Sequence, residues 1–256
     1  MTPLPWEAPA LAAPNALDVA AASLFLDLDG TLAPIMARPD QVGPIAGRTA
    51  LLQALSARLD GRLAVISGRA VCDIDRILAG AVVAVAGVHG LQRRAPDGRL
   101  VEARPHPALS ALGEDLRALA ATLPGVLIED KQLSVAIHYR AAPGAGKRLA
   151  ALARRMAAEH GLTLQAGDMV IELRTPGQDK GDAISAFMDE APFAGSQPVF
   201  VGDDLTDEAG FAAAARLGGY GVLVGPARET RAARRLSDPS AVLAWLGQAV
   251  LMEARP

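Results

Sequence analysis

A single cysteine, Cys72, occurs in the 256-residue chain, which excludes an internal disulfide and a cysteine-built metal cluster. In the run Val71-Cys72-Asp73-Ile74 it reads as a buried helical thiol. Aromatic residues are only 4%, and no basic block or Lys/Arg stripe stands out in a chain of net charge −3. A nucleic-acid-binding surface is therefore not expected. No apolar stretch approaches the ~20 uncharged residues of a membrane span. Residues 1–22 lack the basic start and unbroken apolar centre of a signal peptide, and Pro3, Pro5, Pro9 and Pro14 interrupt them. The expectation is a soluble, cytoplasmic protein with a loose leader over 1–22. The four histidines, His89, His106, His138 and His160, show no metal-ligand spacing to one another.

What the chain does hold is apolar: 51% of its residues are hydrophobic. Short apolar runs recur at 24–28, 63–66, 82–86, 199–201 and 222–224, separated by helical patterns such as 48–59, 180–190 and 207–216. Continuous apolar strands between helices predict a Rossmann-like α/β fold whose parallel sheet is buried on both faces. In such sheets reactive groups collect beyond the carboxyl ends of the strands. Asp27, Asp29, Ser67, Asp203 and Asp204 all fall there.

From 105 to 175 the pattern changes to helix, two alternating strands, helix, two alternating strands. Short turns at 130–132 and 166–168 predict antiparallel hairpins. Ser67 and Lys180 lie 113 residues apart, far more than a crossover needs. The excess predicts an α+β cap domain (105–175) inserted into a core domain (23–104 and 176–256), with linkers at Arg104-Pro105 and Thr175-Pro176-Gly177.

Two carboxylates two residues apart, Asp27 and Asp29, followed by Gly30, are costly at a buried strand end because like charges oppose each other's ionisation. An aspartate there can attack phosphorus, provided a cation and a lysine neutralise charge. Magnesium suits oxygen ligands such as Asp27 and Asp203. Two apparent motifs are decoys. Gly144-Ala145-Gly146-Lys147 has Ala141 where a phosphate loop needs its first glycine. Gly218-Gly219-Tyr220-Gly221 precedes a strand instead of following one.

Asp27-Leu28-Asp29-Gly30-Thr31, Ser67-Gly68-Arg69, Asp179-Lys180-Gly181 and Gly202-Asp203-Asp204-Leu205-Thr206-Asp207-Glu208 resemble the four motifs of haloacid dehalogenase-type phosphatases. With Leu32-Ala33-Pro34-Ile35, Gly87-Val88-His89-Gly90 and Ile137-His138-Tyr139-Arg140, the likeness narrows to the trehalose-6-phosphate phosphatases. It runs from about 23 to 246.

The resemblance implies Mg²⁺-dependent hydrolysis of a small sugar phosphate, trehalose 6-phosphate, as the last step of trehalose biosynthesis. It implies Asp27 as nucleophile and Asp29 as acid/base, and a metal held by Asp27, Asp203 and the backbone carbonyl of Asp29. Ser67, Gly68 and Lys180 would hold the phosphoryl group, with Thr31, Asp204 and Asp207 in support. Arg69, His89, Glu129, Lys131, Arg140 and Glu172 would meet the sugar. His138 is read as no catalyst. The rivals are a sucrose-phosphate or mannosylglycerate-phosphate phosphatase, and a phospho-aspartate switch. Protein partners are left open.

Overall fold

The structure, a computed structural model, describes residues 11–251. The chain forms β1 (Ala22–Leu26), α1 (Ala46–Arg58), β2 (Leu63–Ile66), α2 (Val71–Leu78), β3 (Ala84–Gly87), β4 (Gln92–Arg94) and β5 (Leu100–Glu102). Then come α3 (Leu109–Ala120), β6 (Leu127–Asp130), β7 (Ser134–His138), α4 (Gly146–His160), β8 (Thr163–Gly167) and β9 (Val170–Arg174). It closes with α5 (Lys180–Met188), β10 (Gln197–Gly202), α6 (Glu208–Arg216), β11 (Tyr220–Val224), β12 (Arg234–Leu236) and α7 (Pro239–Leu251).

Eight strands form one sheet in the order β12-β11-β10-β1-β2-β3-β4-β5. It is parallel from β12 to β3, and the β4–β5 hairpin extends its far edge antiparallel. Alternation along β1 explains why the apolar runs are continuous. Leu24 and Leu26 face one layer with Leu52, Leu55, Ile74 and Leu246. Phe25 faces the other, with Phe187, Phe193, Phe200 and Phe211. Both faces are covered, so β1 is apolar along its length except for Ser23, whose buried hydroxyl pairs with that of Ser196.

The second sheet is antiparallel, in the order β6-β7-β9-β8. One face is sealed by α3 and α4: Leu112, Leu116, Leu149 and Ala153 pack on Val135, Ile137, Ile171 and Leu173. The intervening residues, including Ser134, His138 and Glu172, consequently emerge on the opposite face. The two connections to the large sheet meet, because the His106 amide donates to the Thr175 hydroxyl at 3.0 Å.

Three features depart from the sequence expectations. Cys72 is exposed: α2 buries Val71, Ile74, Ile77 and Leu78, which leaves Cys72 on the solvent side. Of the expected loose leader, 1–10 lie outside the described residues, while 11–22 are held. Leu17 is buried in the core, and the Trp245 indole donates to the Asn15 carbonyl at 2.8 Å. Strands β4, β5 and β12 were not foreseen; each is only three residues long, at or next to a sheet edge, and too short to write an apolar run. No helix among the described residues is long and apolar enough to cross a membrane.

Candidate active site

The carboxyl ends of β1, β2 and β10 lie side by side, so parallel pairing alone brings Asp27, Ser67 and Asp203 together. The Asp27 amide donates to the Val201 carbonyl at 2.9 Å, carrying the sheet register one residue past β1. The turn that follows depends on Gly30, whose φ is +80° and whose absent Cβ leaves room for the Asp203 carboxylate. Lys180 is the first residue of α5, and Asp179 caps that helix by accepting from the amides of Gly181 and Asp182.

Lys180 Nζ bonds Asp27 Oδ1 at 2.8 Å and Asp207 Oδ1 at 2.6 Å, all three side chains being buried. Burial opposes the lysine charge, yet Asp207 and Asp27 outweigh it and hold its pKa above the usual value. Asp207 is fully enclosed: its second oxygen accepts from the amides of Asp203 and Asp204, both at 2.9 Å.

Burial pushes the Asp27 carboxyl up to about 7 against the pull of Lys180, with Asp207 and Asp29 adding repulsion. Asp203 is raised to about 9, by burial first and then by Asp27 and Asp207. One lysine does not balance these carboxylates. Oxygens of Asp27, Asp203 and Asp207 lie within 4.8 Å of one another, and the buried Asp203 Oδ1 has no hydrogen-bond partner. An all-oxygen cluster short of positive charge, with one oxygen unpartnered, fits a hard divalent cation. Asp207 already uses both oxygens on Lys180 and two amides, which leaves Asp27 and Asp203 as the available carboxylates.

Asp29 belongs to a different pair. The Arg69 guanidinium grips its carboxylate in a fork, Nε to Oδ2 at 2.7 Å and Nη2 to Oδ1 at 2.9 Å. Arg69 Nη1 also bonds Asp73 at 2.5 Å and the Pro39 carbonyl at 3.1 Å. The two neighbouring aspartates are thus served by separate cations, Lys180 for Asp27 and Arg69 for Asp29. The Ser67 hydroxyl accepts from the Arg69 amide at 3.2 Å. Thr31 is buried beneath the turn and does not line the cleft.

Over these strand ends sits the open face of the small sheet. Strand register places Glu129 opposite Ala136, Ala136 opposite Glu172 and Glu172 opposite Gln165, a row across all four strands. Lys131 Nζ donates to the Gly68 carbonyl at 2.9 Å and lies 3.4 Å from both Glu172 oxygens. Glu172 also accepts from the Ser134 hydroxyl, and from His89 Nε2 at 3.2 Å. Burial works against the Glu172 charge, but Lys131, His89 and Ser134 override it and hold the carboxyl well below its usual range.

Arg140 reaches Asp168 Oδ2 at 2.9 Å. His138, set aside from the sequence, lines the cleft and bonds Glu129 at 2.9 Å, while Tyr139 packs with the cap core. Alternation signals that one of this pair faces inward; only the sheet register decides which. Gln165, Asp168 and Met36 also line the cleft, a cavity of about 180 Å³. They carry no motif by which sequence could find them.

Residues 25–240 match the trehalose-phosphatase family. The trehalose-6-phosphate phosphatase of Escherichia coli (strain K12) is 42% identical over 224 residues, 87% of this chain and 84% of that protein. A solved trehalose-6-phosphate phosphatase related protein superimposes with a TM-score of 0.76 at 30% identity, over 89% of this chain and 96% of that one. The C-terminal domain of Candida albicans trehalose-6-phosphate phosphatase has the same fold, at a TM-score of 0.79 and 24% identity over 94% and 99% of the two chains. A sheet that groups aspartates at its strand ends beneath a second sheet, together with a match over most of the chain, identifies this protein as a member of the trehalose-phosphatase family.

Proposed function

We propose that this chain hydrolyses trehalose 6-phosphate to trehalose and phosphate through an aspartyl-phosphate on Asp27. The observation that carries the reading is the division of the strand-end carboxylates. Asp27 is poised on Lys180, Asp203 offers an unpartnered oxygen, and Asp29 is held apart by Arg69.

In the first step an Asp27 oxygen attacks phosphorus and the bond to the sugar oxygen breaks; Asp29, freed from the Arg69 fork and protonated when substrate is bound, supplies that oxygen with a proton. In the second, Asp29 takes a proton from water, whose oxygen attacks phosphorus and releases phosphate from Asp27. Lys180, Ser67 and Gly68 lie against the same cleft and support the phosphoryl group. Asp27, Asp203 and the Asp29 backbone carbonyl would hold Mg²⁺, which offsets the negative charge gathered around phosphorus.

Glu129, Lys131, His89, Arg140 and Glu172 supply charged and hydrogen-bonding groups for a sugar with many hydroxyls. Glu129, Lys131, His89 and Glu172 are bonded or ion-paired to one another or to the core across the cleft, and Arg140 pairs with Asp168. The cavity of about 180 Å³ is below the ~300 Å³ at which ligand pockets begin. A disaccharide phosphate seated in this open cleft would trade those contacts for its own hydroxyls.

Phosphate release from a panel of sugar phosphates, with and without Mg²⁺, tests the reading. The expected result is Mg²⁺-dependent release with a preference for trehalose 6-phosphate. Equal rates on sucrose, glucose and mannosylglycerate phosphates would overturn the assignment of the sugar.

A further inference from the structure

Arg228 stands outside the cleft, four residues beyond β11, and plays no part in the steps above. Its Nη2 donates to the Asp204 carbonyl at 2.9 Å and to the Asp203 carbonyl at 3.4 Å. Its Nη1 bonds the Glu208 carboxylate and, at 3.0 Å, the Glu229 carbonyl. Glu208, at the start of α6, uses its other oxygen to accept the Arg231 amide at 2.7 Å.

We propose that Arg228 is the positioning residue that fixes the Asp203 carboxylate for a divalent cation, and that Glu208 balances its charge. The inference rests on the reading that this cluster holds Mg²⁺. Two consecutive residues are gripped on both polar edges of their backbone. Asp207 takes the amides of Asp203 and Asp204, and Arg228 takes their carbonyls. With the main chain held on both edges, the Asp203 side chain projects from a fixed base, and its Oδ1 is left buried and unpartnered.

A guanidinium suits this task because its fork serves three carbonyls and a carboxylate at once, whereas a lysine ammonium offers a single point. An unbalanced positive charge beside the cluster would repel the cation it is meant to help bind. The Glu208 pair removes that conflict.

Mg²⁺ titration calorimetry on the full metal-free chain, with thermal melting in chelator as a parallel readout, tests the proposal. Arg228→Ala should weaken Mg²⁺ binding by about tenfold or more, with the melting temperature little changed. Arg228→Lys should recover part of the loss, and Glu208→Gln should weaken binding by exposing the guanidinium charge. Equal Mg²⁺ affinity for wild type and Arg228→Ala would overturn the inference. If Arg228→Ala does not fold, unchanged affinity in both other variants overturns it. A wild-type chain that binds no Mg²⁺ would overturn the functional reading along with the inference, a result plainly different from binding that the variants leave untouched.

Discussion

Lys131 and Gly68, 63 positions apart, meet at 2.9 Å, ammonium to carbonyl, across the gap between the two sheets. The lysine side chain is only 9% exposed and shares its charge with Glu172. Removing a buried charged partner of this kind costs about 2–5 kcal/mol. Lys131→Ala should therefore reduce kcat/KM on trehalose 6-phosphate by about two orders of magnitude. Hydrolysis of a small aryl phosphate, which needs no sugar contacts, should fall far less. Equal losses on both substrates would assign Lys131 to folding alone.

Asp27 and Asp29 should fail differently. Asp27→Asn is expected to abolish phosphoenzyme formation under acid quench. Asp29→Asn should lower kcat by about 10²–10⁴ while leaving Mg²⁺ affinity nearly unchanged, since the carboxylate of Asp29 is engaged by Arg69. An Asp29→Asn variant that turned over normally would exclude it as the proton carrier.

His89 gives a pH dependence of definite sign. Burial lowers its pKa below the usual histidine value, against the opposing pull of Glu172. In the unfolded chain the ring takes up a proton near 6.5, while the folded ring resists, so the stability it contributes is present above that pH and lost below it. The loss is at most about 1.4 kcal/mol per pH unit. Thermal melting between pH 7 and 5.5 should fall more steeply for wild type than for His89→Asn. Asparagine suits the replacement because it tolerates the local φ of +56°. Parallel slopes would remove His89 as the source.

Gly30→Ala should damage the site through the backbone. A left-handed φ costs a non-glycine residue about 1–2 kcal/mol, and the added methyl would occupy the space of the Asp203 carboxylate. Mg²⁺ affinity should drop by more than about tenfold in a chain that still melts cooperatively. Native affinity would mean that Asp203 has room to move.

Much of the core was legible because a sheet covered on both sides writes unbroken apolar runs, as at Leu63–Ile66, and its reactive groups must follow those runs. The small antiparallel sheet was legible for a related reason, its strands being covered on one side and therefore alternating, whereas the haloacid dehalogenase-type core came from the resemblance of its four motifs. Partners distant in sequence were not legible. Arg69 lines the cleft, as a sugar-facing residue would, but its fork on Asp29, 40 positions away, was not legible, because that pairing is set by how β1 and β2 lie together. His138 was read as no catalyst, and alternation left open whether it or Tyr139 faces the cap's interior; the packing of Tyr139 against Gly146 settles that. Cys72 was placed inside because a lone apolar-flanked thiol says nothing of which helix face it occupies.

The hydrogen bond from His106 to Thr175 ties the outgoing and returning crossings of the chain into a single knot. With both crossings held side by side, the groups that face the sugar and the groups that face phosphorus stand on two separate sheets and meet only across the cleft.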